Sequence, residues 1–365
     1  MKRIQLAAML VGLLTQTVPV TAWAADPVGL TVAAQSRSMI WNAVAVDHGR
    51  VLVAGPRWTG AAGPSVAVIG KDGKPQPYPD AAWNGWEIGA PTAKAFVNVN
   101  SIHLDGKGAL WVVDTGTPNF GSDPLPGAAK LVQIDLASNR VKRVVPLGSD
   151  VVLAGSYVDD IRFNGTFAYL TDAGRPGLIV FDMKRNRLRR VLDKDPSTTA
   201  PANRPVILGG KTLQGPDGKP LRINSDPMEV SNDGKWLYFG PLSGPWSRIA
   251  TRWLNDAAVT PKQLATKVEA WADLPPTGGT ALDANGDLYF SDLATDSLKR
   301  RSAAGKITTI ITDKRLHWVD APFIDADRTI WLPVPQLDRV GLFNGGASSV
   351  DWPVQLFRLP LPPAK

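Results

Sequence analysis

The sequence predicts an all-β fold, a six-bladed β-propeller of four-stranded antiparallel blades, from three observations. A hairpin signature recurs six times along the 365 residues. Further strand pairs stand between the copies, each turning on an Asn-, Ser- or Lys-rich loop. Helix signal is sparse, with residues 253–258 the one short helix expected. Small antiparallel sheets arranged radially protect their strand edges by closing into a ring. A two-sheet sandwich accounts poorly for a sixfold repeat.

The clearest copy is 97–116, VNVNSIHLDGKGALWVVDTG. It reads as a strand at 100–104, a tight Asp105-Gly106-Lys107-Gly108 turn, and a second strand at 110–113 ending on Asp114. Alternating apolar residues on either side of an Asp/Gly turn are a hairpin signal. The other copies are 41–54 (WNAVAVDHGRVLVA), 159–172, 226–240, 278–292 and 320–332. One place in each second strand holds a large side chain: Leu52, Trp111, Tyr169, Tyr238, Tyr289 and Trp331. Their spacing of 42 to 69 residues suits one four-stranded sheet per copy plus loops of variable length. Intervening pairs, such as 130–135 with 140–146 and 177–182 with 187–191, supply the outer strands. Closure needs one blade shared between the termini, with 28–33 or 354–359 as the completing strand.

The N-terminus reads as an export signal. Lys2 and Arg3 precede an apolar run at 4–14, and Thr21-Ala22-Trp23-Ala24 ends in a small-residue cleavage pattern. The expected organisation is a signal peptide over 1–24 and a single propeller domain over 25–365, secreted or periplasmic. The apolar run is too short to span a bilayer, and no later stretch reaches the ~20 apolar residues required. No membrane association is expected after cleavage.

There is no cysteine, so stability must come from packing. Cys-ligated zinc, haem attachment and thiol nucleophiles are excluded with it. The formal charge of +7 falls to +5 without Lys2 and Arg3, a mild and dispersed basicity. One cluster stands out, Lys184-Arg185-Asn186-Arg187-Leu188-Arg189-Arg190. No aromatic residue interleaves with it to stack bases, so it reads as a charged hairpin edge and no nucleic-acid partner is expected.

Hairpin geometry locates the candidate site. The start of the first strand and the end of the second lie together, opposite the turn. With first strands innermost, Asn42, Asn100, Asp159, Asp226, Gly278 and Asp320 ring one mouth of the central channel. Asp114, Asp172 and Asp292 stand farther out on that face, and Asp105, Asn164, Asp233 and Asp325 mark the turns at the other mouth. Such an oxygen-rich ring suits a divalent cation such as calcium, with Asn100, Asp159 and Asp226 as ligands. It equally suits an organic ammonium, with Trp41, Tyr157, Trp318 or Phe323 as aromatic partners. The plainer alternative is that these Asp and Asn residues cap turns and strand starts.

Of the three histidines, His317 lies beside Trp318 and Asp320 and is the one candidate general acid/base. No G-x-S-x-G, H-E-x-x-H, P-loop or strand-flanked G-x-G-x-x-G motif is present.

Several runs resemble the yellow/major royal jelly protein family. They are LWVVDTG (110–116), DDIRFNGTFAYLTDAGRPGLIVFDM (159–183), VSNDGKWLYFGPLSG (230–244) followed by Thr251 and Leu254, and GDLYFSDLATDSLKR (286–300). The resemblance runs from about Asn42 to Val340 in matching order, and implies a six-bladed propeller and secretion. Members include pigment-pathway proteins, nutritive proteins and amine-binding salivary proteins, with no family-wide catalytic motif to carry over. A more distant similarity is to gluconolactonase-like propellers, which hold calcium or zinc. Asn100, Asp159 and Asp226 fall at comparable places, but the first-blade position reads Ile40-Trp41-Asn42, with no Glu.

The leading expectation is a small-molecule ligand, cationic or aromatic, bound at Asn42, Asn100, Asp159, Asp226 and Asp320 beside Trp41 and Trp318. The alternative is a metal-dependent lactone or ester hydrolase on the same ring, with Asp226 or His317 handling the proton.

Overall fold

The computed structural model describes residues 29–362. The expected signal peptide over 1–24 lies outside the described residues. Six four-stranded antiparallel sheets are present. Their inner strands are Ala43–Asp47, Val99–Leu104, Val158–Asn164, Ser225–Val230, Thr277–Leu282 and the short Phe323–Ile324. Each inner strand lies against those of the neighbouring blades, closing a ring around a central channel. Every repeated hairpin forms the inner pair of one blade. The intervening pairs form the outer two strands, Lys130–Asp135 with Arg140–Pro146 in the second blade and Gly177–Asp182 with Arg187–Val191 in the third.

Burial follows position in the blade. Ala109–Asp114 is buried at every residue, because neighbouring blades cover both of its faces. Outermost Arg140–Pro146 alternates exposed and covered residues instead. Trp111 packs between blades, with ring centroids 5.6 Å from Phe163 and 6.3 Å from Phe181.

Both terminal candidates take part in closure. The sixth blade runs Phe323–Ile324, Thr329–Val334, Val354–Pro360 and then Thr31–Ser36. Only one strand remains for this blade after Val334, so the N-terminal segment supplies the fourth, pairing Ser36 with Val354 and Thr31 with Arg358.

The turn aspartates do cap turns. Asp105 Oδ1 accepts from Lys107 N (2.7 Å) and Ala109 N (3.1 Å), while Oδ2 accepts from Trp111 Nε1 (3.1 Å). Asp325 repeats the pattern with Asp327 N, Thr329 N and Trp331 Nε1 (2.8 Å). One carboxylate thus ties the turn backbone to the large aromatic of the second strand.

The helical segments differ from expectation. The helix expected at 253–258 lies at Thr251–Asn255, and Ala81–Asn84 and Pro261–Ala265 are also helical. The last begins with a reciprocal cap between Thr260 and Gln263 and a proline in its first turn. None is long and apolar enough to cross a membrane.

Between the third and fourth blades, residues 192–224 form a long connection with a two-residue ladder, Ile207–Leu208 on Lys211–Thr212. Its end, Leu221 to Ile223, comes back to the channel mouth.

Candidate functional site

The inner strands place the ring by breaking their own ladders. In four consecutive blades the register shifts between Val99 and Ser101, Val158 and Ile161, Ser225 and Met228, and Thr277 and Thr280. Asn100, Asp159, Asp226 and Gly278 sit in these bulges, which re-aim side chains out of the regular alternation. Asn42 immediately precedes its strand, and Asp320 precedes Phe323. Gly278 contributes no side chain, because a Cβ there would stand 2.4 Å from the Val319 carbonyl oxygen.

These residues share a cavity of ≈ 320 Å³ at one mouth of the channel. Asn42, Asn100, Asp159, Asp226 and Asp320 form its floor; Trp58, Phe120, Tyr157, Trp318, Leu337 and Phe343 stand among its walls. Trp58 and Phe120 pack at 5.1 Å between ring centroids, and Phe120 and Tyr157 at 5.8 Å. Exposed Arg222 is the one cation lining the cavity among the described residues. Below the floor lies a throat of ≈ 10 Å³, bounded by the same ring and by Ser101, Asp160 and Thr280.

A hydrogen-bonded chain connects wall to floor. Trp58 Nε1 donates to the Tyr157 hydroxyl (2.8 Å), which donates to Asn100 Oδ1 (2.9 Å). Asn100 Nδ2 then donates to Asp159 Oδ1 (2.7 Å). Asp320 Oδ1 accepts from Ala321 N (2.9 Å). Two groups remain unmet: Asn42 Oδ1 and Trp318 Nε1 are buried without a hydrogen-bond partner. The Trp318 N–H lies close enough to Asp320 to favour its anion, yet completes no hydrogen bond of normal geometry. Trp318 is also held at φ 58, a left-handed conformation rare for a bulky residue.

Burial dominates the electrostatics. It raises the Asp159 carboxyl well above the ordinary range, and Asp160, Asp320 and Asp172 add to the rise. Asp226 is raised in the same way by burial and then by Asp159 and Asp320. Burial also pushes Asp320 up to about 8. None of the three forms an ion pair among the described residues, so burial and mutual repulsion both favour the neutral carboxyl. Burial and the charge of Asp159 likewise raise the Tyr157 hydroxyl.

A separate network plugs the channel below. Arg162 Nη1 donates to Asp160 (2.6 Å), and Nε and Nη2 donate to both oxygens of Glu229 (3.0 Å each). Thr280 Oγ1 completes Glu229 at 2.9 Å. Burial opposes the Arg162 charge, but Asp160 and Glu229 outweigh it and raise its affinity for the proton. No sequence motif marks this network. The alternation Asp160-Ile161-Arg162 on an inner strand was the available signal.

Not every expected residue reaches the site. Trp41 is fully buried in the core, its Nε1 donating to Gln355 O (3.1 Å), and does not line the cavity. Phe323 packs between core clusters. His317 lies outside the cavity, held between Asp296 (2.8 Å from Nδ1) and Asp338 (2.9 Å from Nε2). With both ring nitrogens engaged by carboxylates, it ties loops together away from the cavity lining. Asp114 and Asp172 are also structural. Asp114 bonds Val97 N, Asn98 N and buried Lys130, and Asp172 bonds Tyr157 N and Arg190. Arg190 is thus a buried strut rather than part of a solvated edge.

The metal expectation meets a mismatched donor set. Asn100 Oδ1, the atom that would ligate, accepts from Tyr157, while its amide N–H faces Asp159. Among the described residues no group of three or more His, Cys, Asp or Glu side chains is arranged to hold a metal ion.

Comparison with known proteins agrees with this architecture. A family model described as Major royal jelly protein matches residues 97–321. Protein yellow of Drosophila madeirensis is 28% identical over 236 residues, covering 60% of this chain and 40% of that protein. Protein yellow of Drosophila melanogaster is 27% identical over 235 residues, covering 60% and 42%. The match thus spans less than half the length of these relatives. In fold, the chain is similar to virginiamycin B lyase from Staphylococcus aureus, with a TM-score of 0.51, 12% identity, and coverage of 91% of this chain and 99% of that one. With more than half of its length matched, including the three blades that carry Asn100, Asp159 and Asp226, the chain belongs to the major royal jelly protein family.

Proposed function

We propose that this protein binds a small organic cation bearing an aromatic ring. The ammonium rests on the floor formed by Asp159, Asp226 and Asp320, and the ring lies among Trp58, Phe120, Tyr157 and Trp318. One observation carries this reading: three carboxyls converge under an aromatic-walled cavity and none has a cationic partner among the described residues. A bound ammonium supplies that missing charge where the surroundings screen it poorly. Aromatic faces add cation–π attraction and apolar contact. The metal-dependent hydrolase is the weaker reading, since it needs Asn100 to release Tyr157 and turn its oxygen inward.

We also propose export, resting on Lys2, Arg3, the apolar run at 4–14 and the small residues ending at Ala24. Sequencing the N-terminus of the secreted or periplasmic protein should find it beginning at Ala25.

The test of the binding reading is calorimetric titration with 2-phenylethylamine at pH 7.5. Wild type is expected to bind, and Asp226→Asn to bind at least about tenfold more weakly with an unchanged melting temperature. No binding by wild type at millimolar amine would sink the proposal.

A further inference from the structure

The floor of the cavity and the throat beneath it differ in what they can admit. The throat offers ≈ 10 Å³, about the room one water-sized group requires. Asn42 looks into it from the first blade, 3% exposed, with its Oδ1 acceptor unpartnered. A buried acceptor without a donor is costly and calls for an occupant. Asp159, Asp226 and Asp320 bring further acceptors from the third, fourth and sixth blades, and among the described residues no group hydrogen-bonds the Asp226 carboxyl. Asn100 is spent on Asp159 and Tyr157, and Gly278 has no side chain. What remains is a small space faced by oxygen acceptors from four directions.

We infer that this throat selects a primary ammonium, –NH3+, over N-methylated ammonium groups. The inference deepens the ligand reading above and rests on it. A primary ammonium has three directed N–H donors and no acceptor, as a lysine head group does. It is close to water in size, and it meets Asn42 Oδ1 and two carboxyl oxygens at once. A trimethylammonium has no N–H to give and is too wide for the throat. It would stay in the wider cavity, where the aromatic walls hold a cation by its charge alone. The arrangement is the reverse of an aromatic cage, in which ring faces surround the methylated nitrogen. Asn42 therefore acts as a specificity-determining residue, and the carboxyls provide the charge.

Calorimetry on the full-length mature protein separates the possibilities with three probes of one skeleton: 2-phenylethylamine, its N,N,N-trimethyl derivative, and 2-phenylethanol. The primary amine is expected to bind at least about tenfold more tightly than the trimethyl compound, as the loss of hydrogen bonds to charged groups implies. The alcohol is expected to bind weakest. Asn42→Leu, with the same branching and heavy-atom count but no acceptor, should bring the two amines to similar affinity while the melting temperature stays near that of wild type. Equal or tighter binding of the trimethyl compound by wild type overturns the inference while leaving the cation reading intact. Binding of the alcohol as tightly as the amines, or no binding of any probe, overturns both. Should Asn42→Leu fail to fold, Asn42→Ala serves the same comparison.

Discussion

Asn100 Nδ2 donates to Asp159 Oδ1 at 2.7 Å, joining the inner strand of the second blade to that of the third across the channel mouth. The other end of the same amide accepts from Tyr157, so one side chain orients both a wall residue and a floor residue. Tyr157→Phe removes the hydroxyl that links Trp58 to Asn100. It is expected to cost about 1 kcal/mol of stability and to weaken amine binding severalfold. Urea unfolding and calorimetry check the two effects separately, and unchanged affinity would show that Asn100 holds its position without Tyr157.

The raised carboxyls make stability depend on pH in a definite direction. Burial pushes Asp320 up to about 8 in the folded protein, against an ordinary 3.8 when unfolded, so the native state holds the proton more tightly. Its contribution is fully present below pH 3.8 and is lost as pH rises toward 8, and Asp159 and Asp226 act in the same sense. Asp320→Asn can keep the bond from Ala321 N and carries no charge. It should raise the melting temperature by about 3 °C or more at pH 9 and change it little at pH 3.5. A variant less stable than wild type at pH 9 would contradict this account.

Binding of an ammonium should follow the opposite slope. The cation favours ionised carboxylates, so its entry displaces protons from Asp159, Asp226 and Asp320, which lie near Tyr157 and the ion-paired Asp160 and Asp172. Affinity for 2-phenylethylamine is expected to increase from pH 5 to pH 8 with measurable proton release. Titration in buffers of different ionisation enthalpy reads that release directly, and its absence would mean the ring is already ionised.

His317→Ala distinguishes a strut from a catalyst. The two carboxylates raise the imidazole against the effect of burial, so its stabilising charge is fully present below pH 6.5 and is lost as pH rises through the higher folded value. The variant should lose about 2 kcal/mol at pH 6, where Asp296 and Asp338 are left unpaired, and less at pH 9. Amine affinity should be unaffected. A large loss of binding in a folded variant would return His317 to the site.

The plug below the throat is expected to be structural. Arg162→Leu leaves Asp160 and Glu229 buried without a cation and should cost about 3–5 kcal/mol. Arg162→Leu with Glu229→Met should recover part of that loss, since no uncompensated Glu229 charge then remains. Equilibrium unfolding of the single and double variants measures the coupling.

The blades are legible in the sequence because a hairpin is a local object. Alternation on either side of an Asp/Gly turn sets two strands and their register within some fifteen residues, as 100–114 shows. Six such units place Asn42, Asn100, Asp159, Asp226 and Asp320 at one mouth without any knowledge of distant contacts. The places of Trp41 and His317 are not legible in the sequence, because adjacency along the chain does not give the face a side chain takes. Trp41 turns into the core beside Gln355, and His317 turns away from Trp318 toward Asp296 and Asp338. The walls and the throat arise from contacts distant in the chain. Trp58, Phe120 and Phe343 come from three separate connections whose meeting depends on ring closure, and residues 192–224 return to the mouth along a path no local pattern encodes. The bulges at Asn100, Asp159, Asp226 and Gly278 interrupt the pairing of each inner strand with the second strand of its own blade. Closure itself depends on Thr31–Ser36 meeting Val354–Pro360, the two ends of the described chain. A propeller's channel is the one place where all six local units must agree, and its chemistry is therefore a property of the closed ring.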